Sequence, residues 1–406
     1  MKKILLIFIV LSFTSGNNYK IAQNVYNQTV ISVNPDNALK EIKASSIYSE
    51  IKYIPLETPD DHLIGMISQI LFYKDRFYIL DEEYVKSIFC FDKSGKFLFE
   101  INRVGHGPGE YLSPESISIN YDTDQLLLFC GTTLQIFTFD LDGNYIKSQK
   151  AGYYASYFAY IKDGYSAFSV GYNDSNADTK ENNTFPNLLI VDSDYKINSV
   201  GLPVPDQVNF SAITQLACCF SPDVEDGAVS MINSCNDTVY HVFKDKVKRA
   251  YYIDFGKRKM TKGVYDLMRD KHTAVGGVRQ YMSDNNICSI FHLAESRKNI
   301  SFVYTHSNKV HFAFYNKATA KLTDVVMTHD GDVPVYPIIN DIDGCPISIP
   351  YYSDAKNFYG FISPEEFMTK KEAILNSQSP DKEHLISILD KAVFDDNPII
   401  TIMNFK

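Results

Sequence analysis

Arg103-Val104-Gly105-His106-Gly107-Pro108-Gly109-Glu110-Tyr111 packs three glycines and a proline into five consecutive residues. It lies between two runs of strand-forming residues, Lys96 to Asn102 and Ser116 to Tyr121. Glycine accepts positive φ, whereas proline fixes φ and lacks an amide donor. The stretch therefore reads as a tight, shaped connection that closes one β-unit and opens the next.

Upstream of it, four short runs alternate with turns: Ile67 to Phe72, Arg76 to Leu80, Ser87 to Phe91 and Lys96 to Glu100. Lys74-Asp75 and Asp92-Lys93-Ser94-Gly95 supply the bends. Downstream the pattern recurs in Ser116 to Asn120, Gln125 to Phe129, Leu134 to Phe139 and Asn144 to Ser148. There Asp140-Leu141-Asp142-Gly143 repeats the Asp92 turn. Further sets follow over about Tyr153 to Val200, Phe210 to Phe255 and Ile287 to Met327, and a sixth begins near Pro334 and includes Ile347 to Tyr351. Four strands per unit at a period of roughly 40–50 residues is the pattern of propeller blades. The expectation is an all-β, six-bladed β-propeller of four-stranded antiparallel blades, with room for a seventh in the insertions. Such a ring must close, because an open sheet edge invites aggregation. Thr29 to Val33 is predicted to share a blade with Pro398 to Asn404.

Two segments break the β pattern. Lys257 to Lys271 places Val264, Leu267 and Met268 at helical spacing. Ser363-Pro364-Glu365-Glu366 is a helix start, with Ser at the N-cap, Pro at N1 and acids in the first turn. Its helical pattern runs through Ile374 and resumes from His384 to Ala392.

The 406 residues are 45% hydrophobic and 22% charged, enough for a large core. A net charge of -10 argues against a nucleic-acid partner. Trp is absent, while 28 Tyr and 27 Phe favour strands. Met1-Lys2-Lys3, the apolar run Ile4 to Leu11 and the small-residue exit ending at Gly16 read as a secretory signal. Residues 17–406 are then the mature domain, and the protein is expected in the periplasm or outside the cell. No cysteine precedes Cys90, so a lipoprotein cysteine is not seen, and no apolar run has the ~20 residues of a transmembrane helix. The seven cysteines lack CxxC spacing and read as buried thiols, with one disulfide open.

The layout resembles the six-bladed, NHL-like β-propeller proteins exported by gut-dwelling Gram-negative bacteria. The residues that carry the likeness are Tyr53-Ile54-Pro55-Leu56-Glu57-Thr58, Phe91-Asp92-Lys93-Ser94-Gly95-Lys96, Gly105 to Tyr111 and Asn397-Pro398-Ile399-Ile400. The likeness is strongest over Ile51 to Lys150, and it implies no transferable catalytic residues.

Candidate sites are few. Arg103, His106, Glu110 and Tyr111 are compatible with ligand binding, the glycine amides forming an anion nest, or with a tie between blades. Asp341-Ile342-Asp343-Gly344 resembles a fragment of a calcium loop, so Asp341 and Asp343 are candidate metal ligands, although calcium needs six to eight oxygens. His306 and His311 flank a hairpin turn, and His292, His329 and Asp330 are candidates for an axial pocket. The Tyr-rich stretches 153–157 and 351–352 suit sugar stacking or strand packing. No Gly-x-Ser-x-Gly elbow occurs. The composite reading is a monomeric, secreted, non-catalytic binding module for a protein, peptide or glycan. A metal-dependent propeller hydrolase or lyase with its site in the central channel is the alternative.

Overall fold

Each repeat buries apolar residues on both faces of a short sheet. In the strand Arg76–Asp81, Phe77 and Ile79 point to one neighbouring sheet, while Tyr78 and Leu80 point to the other. Side chains alternate across a strand, so a sheet packed on both sides reads as a nearly continuous apolar run. In the computed structural model, which describes residues 20–171, 176, 184–205, 220–233, 235–270, 272–273, 275–330 and 333–406, six such sheets form a ring. The protein is a six-bladed β-propeller.

Blade 1 is Gln69–Tyr73, Arg76–Asp81, Ser87–Asp92 and Phe97–Ile101, and blade 2 is Ser116–Asn120, Gln125–Cys130, Gln135–Asp140 and Tyr145–Lys150. Blade 3 is Tyr157–Tyr160, Ser166–Ser169, Thr184–Val191 and Ile197–Pro205, and blade 4 is Phe220–Glu225, Ala228–Ile232, Thr238–Val242 and Lys246–Asp254. Blade 5 is Ser289–Glu295, Asn299–His306, Lys309–Asn316 and Lys321–Val326. Blade 6 takes Tyr352–Ser353, Phe358–Ile362 and Ile399–Phe405 from the end of the chain and Tyr48–Pro55 from its beginning. The first strands of successive blades touch all the way round. The core therefore lies between blades: Leu128, Phe137 and Tyr78 fill the space between blades 1 and 2, and Phe129, Phe158 and Phe168 that between blades 2 and 3.

The expected partner of the C-terminal strand is corrected. Thr29 to Val33 lies in blade 4, where Gln23–Ser32 runs parallel to Lys246–Asp254 with Thr29 opposite Tyr251. Ile31 and Val33 are buried there in the core that runs through blades 3, 4 and 5. The closing strand is Tyr48–Pro55, which pairs antiparallel with Ile399–Phe405, Ile51 opposite Met403. The sixth set is also corrected: Ile347 to Pro350 is not strand, while Thr328–Asp330 and Val333–Val335 form a short ribbon and Ile338–Ile339 a two-residue pairing with Ile42–Lys43.

The recurrent Asp turns share one geometry. Asp92, Asp140 and Asp192 each accept the backbone amides two and four residues on with Oδ1, over 2.8–3.1 Å. Gly95 and Gly143 sit at φ +88° and +83° in these bends. A Cβ on Gly143 would stand 2.6 Å from the Phe99 ring, so backbone conformation and close approach both demand glycine.

Among the described residues the five α-helices are α1 (Lys262–Arg269), α2 (Val275–Asp284), α3 (Pro364–Met368), α4 (Lys371–Asn376) and α5 (Lys382–Lys391). Ser363 caps α3 by accepting the Glu366 amide at 3.1 Å. α2 was not legible in the sequence, because Gly276 and Gly277 lie inside it and glycine is a poor helix former. The proposed signal segment, Cys218 and Cys219 lie outside the described residues.

Candidate functional site

Strand direction alternates within a blade, so connections after the second and fourth strands emerge at one end of the sheets. Those after the first and third emerge at the other. All five helices, the Arg103–Tyr111 loop, the residue 56–68 connection and the 328–339 ribbon fall on the first face. The second face carries mainly short turns.

On the turn face, polar contacts tie neighbouring blades from blade 1 round to blade 6. Tyr73 donates to Asp124 at 2.7 Å between blades 1 and 2, and Tyr160 bonds Asp122 between blades 2 and 3. Lys162 reaches the Asp226 carbonyl at 2.7 Å, Arg297 holds Asp223 at 2.7 Å, and the Arg297 amide bonds the Ala355 carbonyl at 3.0 Å. The half-exposed Tyr121 lies between two of these tyrosines, its centroid 5.2 Å from that of Tyr73 and 6.4 Å from that of Tyr160.

On the loop face, the Arg103–Tyr111 segment is occupied by its own side chains. Gly107 N donates to Glu110 Oε2 at 2.7 Å, and a Cβ on Gly105 would collide with that oxygen. The amide nest anticipated for an anion therefore already holds the Glu110 carboxylate. Arg103 Nε donates to the Gly109 carbonyl at 2.9 Å, and its guanidinium lies 5.4 Å from the centre of the Tyr145 ring. Tyr111 is fully buried, packs edge-on to Phe137 of blade 2 and directs its hydroxyl at the carbonyls of Lys86 (2.9 Å) and Ile101 (2.8 Å) of blade 1. His106 is exposed. Tyr111→Phe is expected to cost about 1–3 kcal/mol, because it leaves buried carbonyls without their donor. A shift in denaturation midpoint below ~0.5 kcal/mol would contradict the tie between blades.

Asp341 and Asp343 point to different partners. Asp341 accepts the Ser45 amide (2.9 Å) and hydroxyl (2.7 Å). Asp343 accepts Asn340 Nδ2 (2.6 Å), the Cys345 amide (2.9 Å) and the Tyr53 hydroxyl (3.3 Å). Among the described residues, no group of three or more His, Cys, Asp or Glu is arranged to hold a metal ion. His292 is buried between blades 5 and 6, with Nε2 2.9 Å from the Pro350 carbonyl; burial lowers its pKa to about 4 and keeps it neutral. His329 is exposed on the ribbon. His311 is buried and stacked on Tyr304, and the His306 ring meets it edge-on with centroids 6.1 Å apart. Cys90, Cys130, Cys235, Cys288 and Cys345 are buried free thiols.

Sequence reasoning missed three features. The first is a charged array between blades 4 and 5. His241 Nδ1 lies 2.8 Å from Glu225, and Nε2 lies 2.9 Å from the fully buried Glu295. Lys317 and Ser230 also bind Glu295, and Lys248 binds Glu225. The second is Asp237, 6% exposed beneath α1, with Oδ2 accepting the Met260 amide at 3.2 Å and Oδ1 unpartnered. Burial pushes its carboxyl up to about 7, and Asp254 reinforces the shift. The folded pKa exceeds the unfolded value of about 3.9, so stability should fall as pH rises from about 4 to about 7. Asp237→Asn should flatten that decline, read as melting temperature at pH 5 and pH 8; an unchanged slope would reject the assignment.

The third feature spans blades 6 and 1 on the loop face. Asn397 ties the end of the α3–α5 insertion to the 56–68 connection, donating to the Glu57 and His62 carbonyls (both 3.0 Å) and accepting the Ile64 amide (2.9 Å). Asp81 accepts the amides of Gly65, Met66, Tyr84 and Val85, fixing the first-blade loop beside it. Around this frame Leu63, Tyr84, Val393 and Phe394 are exposed. Glu82, half-buried, has its carboxyl pushed up to about 7 by burial and by the charges of Glu115, Glu83 and Asp81.

A profile described as a domain of unknown function, DUF4934, matches residues 28–404. The chain belongs to the DUF4934 family. No curated protein matches its sequence. Among solved structures, a presumed exported protein of Bacteroides fragilis superposes with a TM-score of 0.72 at 17% identity, covering 93% of this chain and 100% of that one. A DUF4221-family member from Bacteroides vulgatus gives a TM-score of 0.50 at 10% identity, over 88% of this chain and 97% of that one. At these identities the likeness concerns the DUF4934 chain's fold. Among its described residues, no helix is long and apolar enough to cross a membrane.

Proposed function

We propose that this DUF4934 propeller is an exported, non-catalytic binding module that engages its partner with the loop face. The observation that carries the reading is the one-sided elaboration: among the described residues every α-helix and the longest connections lie on that face, while the other carries mainly short turns. A rigid scaffold with variable loops at one mouth is a common arrangement for recognition. The polar residues between the blades are largely engaged with one another, as in the Glu225–His241–Glu295 array. Export is supported by the basic and then apolar opening Met1 to Leu11.

The test combines metal analysis of protein purified without chelator, melts before and after chelation, and a hydrolase and lyase screen. The expected result is no turnover and no melting shift on chelation. Stoichiometric metal with turnover would replace this reading by the channel hydrolase or lyase. Fractionation of the native host with N-terminal sequencing is expected to place a chain starting near Asn17 outside the cytoplasm.

A further inference from the structure

The helices α1 and α2, which lie between the last strand of blade 4 and the first of blade 5, pack on each other on the loop face. Val264, Met268 and Val278 share a small core with Cys235 and Ile287, bordered by Val204, Met260, Leu267, Tyr281 and Met282. This core is separate from those between the blades. A Cβ on Gly263 of α1 would collide with the Tyr281 hydroxyl of α2, so the two helices are closely joined. The ends of the insertion lie side by side, where the Cys288 amide donates to the Arg258 carbonyl at 2.8 Å. A segment with its own core and adjacent ends is built to open as a unit, without unravelling the sheets beside it.

Two polar contacts fasten α1 to the connection between the second and third strands of blade 4. The Tyr265 hydroxyl donates to the Cys235 carbonyl at 3.2 Å. The Met260 amide, just before the N-cap Thr261, donates to Asp237 Oδ2 at 3.2 Å. Asp237 is buried, and its Oδ1 has no hydrogen-bond partner. The groups that face it are Tyr252 and Asp254 from the outer strand of blade 4, Cys235 from its own connection, Tyr265 from α1, Cys288 at the start of blade 5 and Lys259. Of these only Lys259 is a base, and it is exposed. An ionised carboxylate here would keep one oxygen dry and unbonded, a cost that the protonated acid avoids. Burial, offset in part by the Met260 amide and reinforced by Asp254, pushes the carboxyl up to about 7.

We infer that α1 and α2 form a pH-gated lid on the loop face, fastened while the Asp237 carboxyl is protonated and released when it ionises. Opening brings water to both carboxylate oxygens and uncovers the apolar floor of Val204, Cys235 and Ile287. The inference goes beyond the binding-module reading and does not depend on it, since it concerns how much of the loop face is presented at a given pH. In the open lid the carboxyl takes the ordinary aspartate value of about 3.9. Closure is therefore strongest below about pH 4, weakens about tenfold per pH unit up to about 7, and changes no further above that.

Amide hydrogen exchange of the protein, with each rate corrected for its intrinsic pH dependence, tests this. Protection of the α1 and α2 amides is expected to fall ~100-fold from pH 5 to pH 7 and to level off by pH 8. At each pH these amides should exchange at least ~10-fold faster than those of Arg76–Asp81 in blade 1, because the lid opens while the ring stays folded. In Asp237→Asn the pH slope in α1 and α2 should vanish. Equal protection of lid and blade 1 would mean that the helices open only with the ring, and would overturn the inference. An unaltered slope in the variant would overturn it too. Should the variant fail to fold, the wild-type profile decides alone: protection in α1 and α2 that does not change between pH 5 and pH 7 rejects the lid.

Discussion

Replacing Glu295 with alanine is expected to destabilise the protein by about 3–5 kcal/mol, the cost of breaking a buried charge network from one side. The carboxylate is fully buried and meets His241 at 2.9 Å, Lys317 at 2.5 Å and the Ser230 hydroxyl. Its removal leaves His241, which is 3% exposed, with Glu225 alone, and the Lys317 ammonium with only the Ser296 carbonyl at 2.7 Å. Two blades would lose their polar seam at once, because Glu225 and His241 belong to blade 4 and Glu295 and Lys317 to blade 5. The pH dependence provides a second signature. Burial alone would raise the Glu295 pKa, but the His241 and Lys317 charges and hydrogen bonds override it and bring it to about 2. The folded pKa is thus below the unfolded value of about 4.3, so the contribution is complete above that pH and is lost as pH falls towards about 2. Urea denaturation at pH 7 and pH 3 should show a larger gap between wild type and variant at pH 7. A gap that is equal at both pH values, or under ~1 kcal/mol at pH 7, would mean that the array contributes little.

Truncation after Asn397 is expected to abolish cooperative folding. It removes Ile399–Phe405, the third strand of blade 6, which among the described residues carries the only sheet pairing of the closing strand Tyr48–Pro55 and also pairs with Phe358–Ile362. Ile399, Ile400 and Met403 are buried there, and each large apolar side chain removed from a core costs about 2–5 kcal/mol. Without the strand, blade 6 is reduced to a short hairpin between blades 5 and 1. Removal of residues 20–32 is the informative contrast. That segment adds edge strands to the outsides of blades 3 and 4, beyond complete four-stranded sheets. It should lower the melting temperature while preserving a single cooperative transition. A truncated chain that still melts cooperatively, or a ring that fails without residues 20–32, would reverse this assignment of roles.

The contrast shows what local patterns convey. The blade repeat was legible because period-two alternation, Asp-Gly turns and the glycine-rich loop are all written within a few residues of each other. The Asp92 and Asp140 turns were readable for that reason, as was the Ser363-Pro364 helix start. Which early strand closes the ring was not. Thr29 to Val33 and Tyr48–Pro55 both have strand composition, and the difference lies in their docking places: Ile31 and Val33 fit the core that runs through blades 3 to 5, while Ile51 and Tyr53 fit that beneath α3 and α4. Residue chemistry likewise could not separate Glu110 as a ligand for a guest from Glu110 as the occupant of its own loop.

Blade number, turn chemistry and the positions of most helices follow from the order of residues, since they depend on backbone preference and on neighbours a few positions apart. Ring closure, the Glu225–His241–Glu295–Lys317 array and the exposed surface between blades 6 and 1 depend on residues far apart in the chain. Their partners are set by how twisted sheets pack around an axis, and burial there determines which charges must pair and which apolar groups stay in water.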